Sequence, residues 1–170
     1  MSVPDPNKTV IAGDVSGARH EIPVSELRWR PAAYGFVIKN DALLLVPAFG
    51  GYSLPGGGLD LGESIEEGLT REVFEETGVV VAENSSRLLG VESNFFIIPG
   101  KSYKGPKVQS ILLYYSCEFA SGELTMEHFD EDEKEYGGFP EWVPLSKLPE
   151  IKVADSIDWR KYILTTDRTE

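Results

Sequence analysis

The sequence predicts a mixed α/β fold, a mixed β-sheet with helices packed on it. Three observations carry this. Apolar runs of strand length lie before and after one sharply bounded helix. Two of those runs are joined by a hairpin turn signal. Of the 170 residues, 41% are hydrophobic and 11% aromatic, enough for the core of one domain and too little chain for two.

The elements follow in order. Val10, Ile11 and Ala12 read as a short strand turning at Gly13 and Asp14, with a loop to Gly17. Residues 33–38 and 42–46 are apolar runs separated by Lys39-Asn40-Asp41, a hairpin. Glycine pairs and Pro55-Gly56-Gly57-Gly58 punctuate a short segment at Tyr52. The helix opens at Ser64, whose capping partner Glu67 stands three positions on, and stops at Gly78. Ile65, Leu69 and Val73 form its core stripe, and Gly68 lets it approach the sheet. Strands are expected over 78–82, 88–98, 108–119 and 141–143, and a terminal helix over 157–165.

Charge narrows the function. Sixteen Lys and Arg against 28 Asp and Glu give a net charge of −12. Such a balance argues against long nucleic acids, whose phosphates need clustered cations, and against an anionic membrane surface. Apolar runs such as 110–119 are too short to span a bilayer, which takes about 20 residues. The lone Cys117 excludes an internal disulfide, and MSVPDPNKTV lacks the build of a signal peptide. A cytoplasmic location is therefore expected.

The acidity is concentrated. Residues 63–76 hold six glutamates and one arginine, and residues 130–135 hold five acids and one lysine. On the helix, Glu72, Glu75 and Glu76 fall within roughly 100° of arc on neighbouring turns. A hard divalent cation relieves that crowding, and Mg2+ takes oxygen ligands of this kind. The nearly bare glycine loop ahead of the helix allows a ligand to approach the backbone closely. Arg71 can pair with Glu63 or Glu75 and hold the cluster in place.

The pattern G-x5-E-x7-R-E-U-x-E-E-x-G-U, with U aliphatic, is met at Gly57, Glu63, Arg71, Glu72, Val73, Glu75, Glu76, Gly78 and Val79. In this the chain resembles the Nudix hydrolases. The hairpin ahead of the motif and the later Trp142-Val143-Pro144-Leu145 segment resemble them too. The resemblance implies an α/β/α sandwich over residues 31–170. Residues 1–30 are then an N-terminal extension, part of the same domain or an interface for a homodimer. It further implies Mg2+-dependent hydrolysis of a nucleoside diphosphate linked to another group, with Mn2+ as a substitute metal. Glu72, Glu75 and Glu76 would be metal ligands, joined by the carbonyl of Gly57 or Gly56, and one of the glutamates would activate water. Arg71 and Glu63 would orient the ligands. A further carboxylate is expected from Glu131, Glu133 or Glu135, with Glu133 favoured.

Competing readings are plainer. An acidic helical face is ordinarily just solvated, but the flanking glycines, the arginine and the spacing agree on more than that. The other is a non-catalytic Nudix-fold domain that binds a nucleotide or NDP-sugar as a sensor; such domains usually lose the glutamates that this chain keeps. Tyr34, Phe49, Tyr52, Phe95 and Phe96 are candidates to stack on a base. Alternation sends Phe95 and Phe96 to opposite faces, so at most one serves. Arg28, Arg30, Lys101, Lys104 and Lys107 are candidate phosphate contacts. Cys117 and Trp142 read as packing, His20 and His128 as ordinary polar residues. Phe95 stands 16 residues past the motif, where ADP-ribose pyrophosphatases carry proline. Phe96 replaces the tyrosine of dinucleoside polyphosphate hydrolases, and the NADH pyrophosphatase motif is absent. A nucleoside triphosphate or an NDP-sugar is left as the expected substrate.

Overall fold

In the computed structural model, residues 5, 7–98, 105–129 and 137–163 are described. The backbone of the fold is β3 (Arg28–Lys39), which runs parallel to β9 (Lys107–Gly122), from Arg28 beside Val108 to Ile38 beside Glu118. Around this pair the sheet runs β10 (Glu141–Pro144), β4 (Ala42–Ala48), β3, β9, β8 (Arg87–Ile97), β1 (Thr9–Gly13), β2 (Arg19–Pro23). Short strands β5 (Gly51–Ser53), β6 (Gly56–Gly58) and β7 (Val79–Val81) hang on β4, β3 and β9. Most pairs are antiparallel; β3–β9 and the single contact of β1 with β8 are parallel, so the sheet is mixed.

Both faces of β3 and β4 are covered, which is why their sequences read as unbroken apolar runs. Alternation splits each run between two cores. Ala33, Val37 and Leu44 join Leu69 and Val73 of helix α1 (Ile65–Thr77) on one face. Ala32, Phe36, Leu43 and Leu45 join Leu112, Tyr114 and Trp159 on the other. Leu69 and Val73 are wholly buried, each contributing about 1.5–3 kcal/mol. Where α1 crosses β3 the strand carries Gly35; a β-carbon there would sit 3.1 Å from Val73 Cγ2. The hairpin between β3 and β4 turns on Asn40 and Asp41, both at positive φ (51° and 56°), the conformation of a two-residue type I′ turn.

The helix ends are the expected ones. Ser64 Oγ accepts from the Glu67 N–H (3.2 Å), and Glu67 returns a carboxylate to the Ser64 N–H (2.7 Å). Gly78 closes the helix at φ 75° with its N–H on Phe74 O.

Several expectations change. Ile65 is 40% exposed rather than core, because the first helical turn overhangs the sheet. Gly68 makes room for the preceding loop, not for the sheet: a β-carbon there would meet Glu63 Oε2 at 2.2 Å and Leu59 Cδ2 at 2.5 Å. The glycine segment after Pro55 is not loop but strand β6, antiparallel to β3. Strand β2, with only Ile22 buried, went unread because so short a stretch shows no clear period. The expected terminal helix is a 3₁₀ turn over Trp159–Tyr162, and its remainder lies outside the described residues. Trp159 is wholly buried and meets Phe36 edge-on at 6.0 Å, so this turn caps the face opposite α1.

Candidate active site

Three carboxylates and one guanidinium meet where β6 passes the middle of α1, and a fourth carboxylate, Glu76, reaches β6 from the same helix. Arg71 Nε and Nη2 donate to Glu63 Oε1 and Oε2, both at 3.0 Å, a bidentate pair. Its Nη1 donates to Glu72 Oε1 (3.0 Å) and Glu75 Oε2 (2.9 Å), and Nη2 also reaches the Gly58 carbonyl (3.2 Å). One side chain thereby ties the loop, β6 and two turns of helix together. The charges register this: Arg71 is held above its ordinary pKa, chiefly by Glu63, and Glu63 is held below the ordinary carboxylate value by Arg71.

Glu76 points to the other side of the cluster, accepting the Gly56 N–H at 2.8 Å. Antiparallel pairing explains why that N–H is available. Ala33 opposes Gly57, while Gly35 N–H bonds Pro55 O and Leu59 N–H bonds Pro31 O. Hydrogen-bonded pairs alternate along such a ladder. The backbone groups of Gly57 are therefore spent on Ala33, and both the N–H and the carbonyl of Gly56 face away from β3. Gly57 instead presents its bare α-carbon to Glu72, which is only 9% exposed.

Among the described residues no three His, Cys, Asp or Glu side chains converge on a ready-made metal cage. Arg71 takes one oxygen of Glu72 and one of Glu75, and Glu76 leans on Gly56. The donor set is nonetheless all oxygen, as a hard cation requires: the carboxylates of Glu72, Glu75 and Glu76, and the Gly56 carbonyl.

A cleft of about 420 Å3 opens beside this cluster, with Gly56 and Glu76 at its rim. Tyr34, Phe49 and Phe96 line it, as does Arg30, its only cation among the described residues. Tyr52, Phe95 and Arg28 do not line it; the Tyr52 hydroxyl donates to Glu141 at 3.1 Å. Lys107 pairs with Glu26, Trp142 packs on Phe119 and His128 stacks on Phe74. His20 pairs with Asp14 at 2.7 Å. Cys117 is buried and its thiol is pushed up to about 11 by burial, so it is inert. Glu131, Glu133, Glu135, Lys101 and Lys104 lie outside the described residues.

Two further residues of the cleft stand outside the sequence motifs. Asp155 accepts from Ser53 Oγ and from Trp159 Nε1, each at 2.9 Å, and burial pushes its carboxyl up to about 6. Asn94, on β8, donates to Ser156 Oγ at 2.6 Å. Neither belongs to a motif; the one sequence signal is an acid four positions before a tryptophan.

The NUDIX domain family matches residues 28–164 of the chain. The chain belongs to this family. Of curated NUDIX relatives, the ADP-ribose pyrophosphatase of Methanocaldococcus jannaschii is 32% identical over 125 residues, covering 71% of this chain and 64% of that protein. The NAD-capped RNA hydrolase NudC of Pseudomonas aeruginosa is 32% identical over 142 residues, 81% of this chain and 43% of that one. The chain thus matches about two-fifths to just under two-thirds of these relatives' lengths. Among solved structures, the MutT protein of Bacillus halodurans superposes with a TM-score of 0.57 at 24% identity, covering 81% of this chain and 80% of that one. An ADP-ribose pyrophosphatase from Streptococcus suis gives 0.55 at 22% identity, covering 83% and 93%. These likenesses establish the α/β NUDIX fold. No helix among the described residues is long and apolar enough to cross a membrane.

Proposed function

We propose that this NUDIX chain is a pyrophosphohydrolase that uses Mg2+, or Mn2+ in its place, to cleave the diphosphate of a small nucleoside diphosphate derivative. The observation that carries this reading is the position of Glu76 and Gly56, which belong both to the carboxylate cluster and to the rim of the cleft. A nucleotide lying in the cleft would bring its phosphates against the acids. Two relatives are named for ADP-ribose and for NAD-capped RNA, both containing a diphosphate next to a nucleoside. Nucleoside triphosphates and NDP-sugars fall within the same chemistry.

Glu72, Glu75 and Glu76 are the metal ligands in this reading. Of the two glycines, Gly56 supplies the carbonyl, since that of Gly57 is taken by β3. A bound cation supplies charge neutralisation of the diphosphate and lowers the pKa of water. The chain's own groups do the rest. Glu63 and Arg71 set the carboxylate orientations, Arg30 meets a phosphate inside the cleft, and one of the glutamates takes the proton of the attacking water. Glu133 keeps its place as the additional carboxylate. A single cysteine, which allows no internal disulfide, suits a reducing, cytoplasmic setting, and residues 1–30 are the part assigned to a homodimer interface.

The test is a phosphate-release screen over nucleoside triphosphates, NDP-sugars, ADP-ribose and dinucleotides, with and without Mg2+. Turnover that requires metal and is lost in Glu76→Gln, with the fold retained, is the expected result. Flat activity across the panel would overturn the proposal and favour a binding module.

A further inference from the structure

Besides Glu76, the cleft is lined by a second set of polar side chains. Three residues stand in one transverse row on the same face of the sheet: Arg30 on β3 opposes Ser110 on β9, which opposes Asn94 on β8. On this face the flanking rows are Arg28, Val108 and Phe96 on one side and Ala32, Leu112 and Glu92 on the other, each apolar on β9 with one charged residue at an outer strand. Asp155, from the C-terminal segment, lines the same cleft. Its two oxygens accept from Ser53 and Trp159, which fix the plane of the carboxylate. A carboxylate offers about four lone-pair directions, so two acceptor positions are left over. Asn94 adds another: its Oδ1 is the only buried side-chain oxygen or nitrogen without a hydrogen-bond partner among the described residues. Such an orphan calls for an explanation, and a ligand donor supplies one. Tyr34 and Phe96 also line the cleft and offer it aromatic faces.

We propose that Asp155 is a specificity-determining residue that reads the N–H edge of a guanine-type base held between the cleft walls, with Asn94 as a second acceptor. This rests on the cleft being the nucleotide site. Guanine presents two adjacent donors, N1–H and the 2-amino group, which match the two oxygens of a carboxylate. Hypoxanthine keeps N1–H alone. Adenine places an acceptor, N1, where guanine has a donor, and would leave the carboxylate facing a lone pair.

The experiment is calorimetric titration of GMP, IMP and AMP in EDTA, which needs no hydrolysis. The expected order is GMP, then IMP, then AMP, with GMP tighter than AMP by about tenfold or more. Asp155→Asn keeps the shape, can still accept from Trp159 and can donate to Ser53. It should weaken GMP by about tenfold and leave AMP within about threefold. A merely structural role would shift all three together. A pH series on the wild type serves if the variant fails to fold. Ser53 of β5 and Trp159 of the 3₁₀ turn bond Asp155, Tyr34 of β3 and Tyr114 of β9 interact with it electrostatically, and Arg30 and Glu76 act on Tyr34. As pH falls through about 6, Asp155 takes up its proton and GMP should weaken while AMP does not. Equal binding of the three nucleotides, no binding of any, or a base preference unchanged in Asp155→Asn together with a flat pH series would overturn the proposal. Selective GMP binding by a chain without hydrolytic activity would uphold it and refute the enzymatic reading alone.

Discussion

Gly57 leaves no room for a side chain beside Glu72: a β-carbon at position 57 would stand 2.5 Å from Glu72 Oε2 and 2.8 Å from Oε1. The strand position itself tolerates alanine, so Gly57→Ala should fold. The displaced carboxylate is then the whole effect. Turnover at saturating metal should drop by about 100-fold, the scale on which a 1 Å misplacement acts, with the circular dichroism spectrum unchanged. Full activity in Gly57→Ala would show that Glu72 is not a ligand.

Arg71 bonds four partners through a rigid fork, and a lysine in its place can reach one or two at a time. Arg71→Lys should lower both the melting temperature and turnover. It should also change the acid response. Glu63 is held below its ordinary pKa, so its contribution to stability is present above that ordinary value and is lost as pH falls through the lowered one. Unfolding curves of wild type and Glu63→Gln should therefore differ at pH 6 and converge in acid. In an Arg71→Lys background the difference at pH 6 should shrink.

Gly68→Ala sets two effects against each other. Alanine within a helix gains about 1 kcal/mol over glycine. The new methyl would collide with Glu63 Oε2 and Leu59 Cδ2, pushing Glu63 off Arg71. Loss of that pair outweighs the propensity gain, and thermal melts should show the variant below wild type. A higher melting temperature would mean that the loop ahead of the helix adjusts freely.

Asp155 has the opposite sign from Glu63. Its folded pKa is raised to about 6 from an ordinary 3.8, so the native state holds the proton longer than the unfolded chain. Stability is greatest below the ordinary value and falls as pH rises to about 6, by up to ~3 kcal/mol. Chemical denaturation of wild type against Asp155→Asn between pH 4 and 7 should show that decline in the wild type alone.

Much of this was legible in the sequence because it is local. Ser64, Glu67 and Gly78 bound the helix within one turn of its ends, and Asn40-Asp41 needs only its flanking apolar runs to read as a hairpin. The carboxylate cluster was equally visible, since its members are spaced by helical geometry. What escaped is set by register and tertiary approach. That Gly56 and not Gly57 keeps its N–H and carbonyl clear of β3 follows from the pairing of β6 with β3, which no local pattern encodes. Gly68 was read against the wrong neighbour for the same reason. Asp155 lies 102 positions from its partner Ser53, and Asn94 62 from Ser156, so their meeting in the cleft is a property of the fold.

The parallel pairing of β3 with β9 also bears on how the molecule comes into being. The paired residues are eighty positions apart, and the entire glycine–glutamate motif lies between them. During synthesis the helix and its hairpin emerge well before β9, and half the floor of the cleft arrives last, with Trp159 later still to seal it. Contacts so distant in sequence form slowly. The newborn chain therefore holds a bare acidic cluster and one unpaired edge of β3 for as long as the ribosome takes to deliver the second half, an interval in which an early cation or a chaperone would find both within reach.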